Sequence, residues 1–163
     1  NMIIRYEDVQ IRLAARSKMR LDSLVNLGRP ARLHLDRGFS WFNVKKNSRN
    51  FAVTTPTAIA GVRGTKFAVS ESSRGALACV CEGSIDTRAA GASRASIAEK
   101  GASLTYDATG DFEEKDLTKY FRGLKADRSF QSQILKDGRL NYCKTCHTMT
   151  NLATDQSPDP ARY

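Results

Sequence analysis

At 163 residues and 40% hydrophobic content, the chain has room for one domain with a modest core and a short appendage. No run of roughly 18 apolar residues occurs, which argues against a membrane-spanning helix, and four cysteines are too few for a disulfide-stapled scaffold. A formal charge of +9 favours acidic partners: an anionic surface, nucleic acid or an acidic redox protein.

The chain starts Asn1-Met2 without a basic-then-apolar leader, which suits a processed form working outside the cytoplasm, whether periplasmic, secreted or at the cell surface. From Ile3 to Tyr106 the dominant period is two. Val9, Ile11 and Leu13 alternate with Gln10 and Arg12; Met19 and Leu21 alternate with Lys18, Arg20 and Asp22. Ala31, Leu33 and Leu35 follow, then the pairs Phe42 and Val44, Phe51 and Val53, Phe67 and Val69, and Ala78 and Val80. Turn residues punctuate the series at Asn26-Leu27-Gly28, Arg37-Gly38, Lys46-Asn47-Ser48, Ser72-Ser73-Arg74-Gly75 and Glu82-Gly83. Many short half-buried strands predict a mainly β fold over residues 1–108: a sandwich, a barrel or a short β-solenoid.

Past Thr109-Gly110-Asp111 the spacing changes. Phe112, Leu117, Tyr120, Phe121 and Leu124 recur at helical intervals behind acidic Glu113, Glu114 and Asp116, which predicts an amphipathic helix. A second short helix is expected over Ser129 to Lys136, stopping at Asp137-Gly138, and the polar stretch from Thr154 to Tyr163, with Pro158 and Pro160, reads as an extended tail. Residues 109–163 thus form a small helical appendage.

That appendage contains Cys143-Lys144-Thr145-Cys146-His147. Two thiols on one helical turn can form thioethers with the two vinyl groups of a haem, and the adjacent imidazole can ligate the iron from one face. The motif predicts one covalent haem c per chain, held by Cys143, Cys146 and His147. Two alternatives are a Cys143–Cys146 redox pair and a zinc site shared with Cys79 and Cys81. Neither suits the spacing: the chain lacks a thioredoxin-like βαβ pattern, and Cys79-x-Cys81 is not a zinc-knuckle pair.

The second axial position has few candidates. Met149 lies too close to His147 to reach round the porphyrin, and Met19 alternates into the core. His34, the other histidine, falls on the polar side of its strand and is the candidate distal ligand, from its own chain or a neighbouring copy. Cys79 and Cys81 project from one face of a strand and read as small buried hydrophobes.

The stretch Thr55-Pro56-Thr57-Ala58-Ile59-Ala60-Gly61-Val62-Arg63-Gly64-Thr65-Lys66-Phe67-Ala68-Val69 resembles the signature of the FecR-domain family. Ile11-Arg12-Leu13, Ser17 through Leu21 and Gly38 through Val44 look like its strand repeats, and Val80-Cys81-Glu82-Gly83-Ser84-Ile85 is similar to its closing segment. The resemblance covers Ile3 to Tyr106. It implies an all-β extracytoplasmic module, known from membrane-anchored regulators of sigma factors and from secreted proteins. The family signature does not include the haem motif.

The expectation from sequence is therefore an extracytoplasmic c-type monohaem cytochrome for electron transfer, with copies self-assembling as a homo-oligomer or filament that aligns their haems. The alternative is a secreted FecR-like interaction or sensing module with a five-coordinate haem or, without haem, a redox or zinc-binding cysteine pair. Enzyme chemistry is not expected, because no carboxylate pair, nucleophile–base set or phosphate loop is present. Nucleic acid binding lacks an aromatic stacking platform.

Overall fold

The computed structural model describes residues 2–6, 8–23, 31–46, 51–62, 64–73, 75–107, 109 and 112–116. The described strands are β1 (Met2–Tyr6), β2 (Val9–Leu13), β3 (Lys18–Ser23), β4 (Ala31–Val44), β5 (Phe51–Thr54), β6 (Ala58–Val62), β7 (Lys66–Ser72), β8 (Gly75–Glu82), β9 (Ser84–Ala89), β10 (Ser96–Glu99), β11 (Ala102–Tyr106) and β12 (Phe112–Asp116).

The spine is the 14-residue β4. Its first half pairs with β3 and, in parallel, with β5; its second half pairs antiparallel with β2 and β7. One wing runs β1-β2-β4-β7-β8-β11-β12 and the other β3-β4-β5-β6-β9-β10, so a single ribbon of strands folds over itself about β4. The fold-over closes where β10 lies against β8 and β11.

Alternation decides what lies between the wings. Ile11, Phe42, Val44, Phe67, Val69, Ala78, Val80 and Leu104 face inward from one wing; Leu33, Leu35, Phe51, Val53, Val62, Ile85 and Ala98 meet them from the other. At the centre the Phe42 and Phe67 rings stack with centroids 4.9 Å apart, and Phe51 reaches across at 5.8 Å. Each such ring contributes roughly 2–3 kcal/mol by leaving water.

The sequence places a turn at Arg37-Gly38, but β4 runs straight through it. Gly38 takes φ +96°, and the inward set changes from odd positions (Leu33, Leu35) to even ones (Phe42, Val44) across it. The register against β3 shifts so that Asp36 is left without a register partner between Leu35 and Arg37; this bulge, two residues before Gly38, reverses which side chains point inward and lets one strand serve both wings. Ser17 ties the bulge down: its Oγ accepts from Phe39 N at 2.9 Å and donates to Phe39 O at 3.1 Å.

A second expectation is corrected at Phe112. Residues 112–116 are not the start of a helix; they form β12, antiparallel to β11 with Phe112 opposite Tyr106 and Asp116 opposite Ala102. Local helix propensity of Glu and Lys is worth only tenths of a kcal/mol per residue, whereas the edge of β11 offers a row of backbone donors and acceptors. The second predicted helix and the proline-containing tail lie outside the described residues.

Candidate functional site

Two outward faces carry chemistry-bearing side chains. On the β3–β4–β5 wing, Asp36 collects basic groups. Arg20 contacts it through Nη2 at 2.9 Å and Nε at 3.2 Å, Lys18 Nζ at 3.3 Å and His34 Nε2 at 3.1 Å. The antiparallel register produces this cluster by setting Arg20 opposite His34. Hydrogen bonding from Arg20 holds the Asp36 carboxyl below the usual carboxylate range and pushes the Arg20 guanidinium up.

His34 lies on the outward face, between buried Leu33 and Leu35. Its Nδ1 is 2.8 Å from Thr54 Oγ1, whose own hydrogen goes to Leu33 O at 3.0 Å. Nδ1 is therefore the donor in the His34–Thr54 contact. Nε2 lies 3.1 Å from Asp36 Oδ1, and coordination of an iron by this nitrogen would displace that contact.

The outward face of the β2–β4–β7–β8–β11 wing was not singled out by the sequence reading. Register aligns Arg12, Trp41, Ala68, Cys79 and Ser103 in one row across five strands. Phe39, Ser70, Leu77 and Thr105 make the next row. The Arg12 guanidinium lies 5.0 Å from the Trp41 ring centroid. The available signal was Trp41 itself, an aromatic on the polar phase of its strand.

Cys79 and Cys81 are buried, as the sequence reading favours. Met19 packs against the core. Cys143, Cys146 and His147 lie outside the described residues. Among the described residues, no group of three or more His, Cys, Asp or Glu side chains could hold a metal ion, and no helix is long and apolar enough to cross a membrane.

Residues 3–86 match the sequence profile of the FecR protein family. No curated protein matches the chain. Among solved structures, the chain is similar to two crystal structures of a candidate anti-sigma factor from Parabacteroides distasonis ATCC 8503, at 1.65 and 2.50 Å resolution. The TM-scores are 0.60 and 0.61 at 17% and 18% identity, with 71% of this chain and 55% of that one covered in each case. The chain thus spans just over half the length of the structures it matches. These findings correct the reading of the chain as a cytochrome for electron transfer. Its scaffold is the FecR module, a fold shared with the candidate anti-sigma factor.

Proposed function

The chain belongs to the FecR protein family, and from that premise we propose that it is a non-enzymatic interaction and sensing module working outside the cytoplasm. The FecR region is the partner-binding scaffold, and Cys143-Lys144-Thr145-Cys146-His147 is the responsive group. The observation that carries this reading is the extent of the family match, which takes in β1 to β8 and half of β9. The fold likeness to a candidate anti-sigma factor supports a regulatory role. The charge of +9 suits an acidic partner surface.

The donor set of the motif fits covalent haem: Cys143 and Cys146 supply the thiols for thioether attachment and His147 the imidazole for the iron. A haem bound there would supply an open iron face for a small ligand. The Asp36 carboxylate, 3.1 Å from His34 Nε2, occupies the side on which that nitrogen would have to meet an iron, which favours that open face over a sixth ligand from His34. Without haem, the same pair would respond as a dithiol or hold zinc.

Absorption spectra of the full chain, oxidised and dithionite-reduced, with a pyridine haemochrome assay and addition of carbon monoxide, test this. A c-type spectrum whose reduced Soret band shifts with carbon monoxide supports sensing at an open iron. A reduced spectrum that carbon monoxide leaves unchanged sinks the open-face reading. A chain without haem moves the responsive role to the thiol pair, to be checked by thiol titration and zinc binding.

A further inference from the structure

β3 is an outer strand of its wing: among the described residues it pairs with β4 alone. Antiparallel pairing uses the backbone N–H and C=O of every second residue, so the alternate residues of β3 turn theirs away from β4. The register against β4 sorts the side chains. Met19 and Leu21 stand opposite Leu35 and Leu33 and share their inward phase, while Lys18 and Arg20 stand opposite Arg37 and His34 and face outward. Met19 packs against the core. Leu21, on the same phase, is 46% exposed. Beside it the Lys18 and Arg20 side chains are 64% and 57% exposed. Asp36 serves both as a single carboxylate, and exposed Arg16, Arg32 and Arg37 border them against one further acid, Asp22. This edge is therefore cationic on one phase and apolar on the other.

We infer that β3 takes up an extended acidic peptide of a partner protein as a further strand, with acidic and apolar side chains alternating along it. The inference rests on reading the FecR region as a partner-binding scaffold, and it names the edge and the chemistry of the partner. Backbone hydrogen bonds along β3 supply affinity, and the two phases of the added strand supply specificity. Its acidic side chains fall beside Lys18 and Arg20, and an apolar one falls beside Leu21 and covers it. A polyanion without a peptide backbone would meet the cations but offer nothing to Leu21 or to the outward backbone groups. A second copy of β3 would set Lys18 and Arg20 against the same charges, since lysine on an edge deters pairing with a like edge. The exposed apolar residues of the other outer strands lack this alternation. Met2 and Ile3 of β1 are both exposed but, as neighbours in sequence, project to opposite faces. Ile97 of β10 stands opposite Asp86 on the outward phase, and that strand lies against β8 and β11.

The test uses the full chain and two fluorescein-labelled peptides of one composition, one alternating Glu with Val and the other sorting the same residues into a Glu block and a Val block. Fluorescence anisotropy near neutral pH gives the affinities, and hydrogen–deuterium exchange read by mass spectrometry gives the place. The alternating peptide is expected to bind at least about tenfold more tightly than the block peptide, the scale of burying one leucine. It should slow exchange in the segment spanning Lys18–Ser23. Leu21→Lys, checked for native sheet content by circular dichroism, should lose about the same factor, and Ile97→Lys should lose none. Equal affinity for the two peptides would reduce the edge to a patch of charge and overturn the inference. Failure of both to bind would overturn it as well, and so would slowed exchange on another strand, which would leave the FecR region a partner-binding scaffold with a different edge in use. None of these outcomes bears on the spectra that test the responsive group, so the two readings fail separately.

Discussion

The guanidinium carbon of Arg12 stands 5.0 Å from the centroid of the Trp41 ring, and both residues are buried on the outward face of their wing. β2 and β4 place the two directly opposite each other. A cation this well desolvated gains more from an aromatic face than an exposed one would, and its aliphatic stem adds packing. Arg12→Ala is expected to destabilise the chain by about 1–3 kcal/mol, read as a lower urea midpoint with a red shift of Trp41 emission. A midpoint within ~0.3 kcal/mol of the parent would show that the pair carries no stability.

Gly38 and Gly91 both have positive φ, +96° and +82°, but they are not equivalent. A Cβ at Gly38 would meet Ser17 Oγ at 2.3 Å and Ser17 Cα at 2.6 Å, whereas at Gly91 nothing lies within 4 Å. Gly91→Ala therefore incurs only the left-handed backbone penalty, roughly 1–2 kcal/mol. Gly38→Ala adds a backbone clash beside the bulge that lets β4 serve both wings, and should lose about 3 kcal/mol or more. Equal losses in the two variants, measured by urea unfolding, would remove the Ser17 contact from this account.

Strand-level alternation was legible in the sequence because one side of each strand is apolar: Leu33 and Leu35, Phe51 and Val53, and Phe67 and Val69 all face inward as read. The family signature from Thr55 to Val69 was legible for the same reason, being written in local turn and strand grammar. Arg12 and Trp41 were not, since a period of two separates the faces of a strand without saying whether the second face meets water or more chain. Gly38 reads as a turn because the backbone beside this bulge asks for the positive φ that a turn would. β12 was misread because its pairing with β11 is a tertiary contact that outweighs the acidic, helix-like start.

The Thr55-Pro56-Thr57 turn has a specific polar closure. Thr55 Oγ1 accepts from Ala58 N at 2.8 Å and from Thr57 N at 3.2 Å, while Thr57 Oγ1 donates to Glu71 Oε1 at 2.9 Å. Thr55→Val preserves the shape and deletes the buried acceptor, leaving two backbone donors without it. A loss of about 1–3 kcal/mol is expected, against less than ~1 kcal/mol for Thr57→Ser, which retains the hydroxyl. Thermal or urea unfolding of the pair distinguishes them, and a neutral Thr55→Val would show that the turn is held by its backbone bonds alone.

The acid response should run through two surface carboxylates. Hydrogen bonding from Arg20 lowers the Asp36 pKa below its ordinary 3.8, and hydrogen bonding from Lys66, 2.7 Å from the carboxylate, lowers that of Glu82 below 4.5. A group that is more acidic in the folded chain than in the unfolded one stabilises the fold at pH above its unfolded pKa, and that stabilisation disappears as pH falls through the folded value. Both contributions are therefore complete at neutral pH and are lost only in strong acid, below the ordinary values. Solvent and salt screen both pairs, so the effect on the urea midpoint is small and shrinks further in high salt. Asp36→Asn removes the common partner of Lys18, Arg20 and His34, leaving those groups to face one another. It should lower the midpoint at pH 7 while flattening its decline toward pH 3. Glu82→Gln should flatten the same limb by acting on Lys66 alone. A parent protein whose midpoint does not fall between pH 5 and pH 3 would show that neither carboxylate is linked to folding.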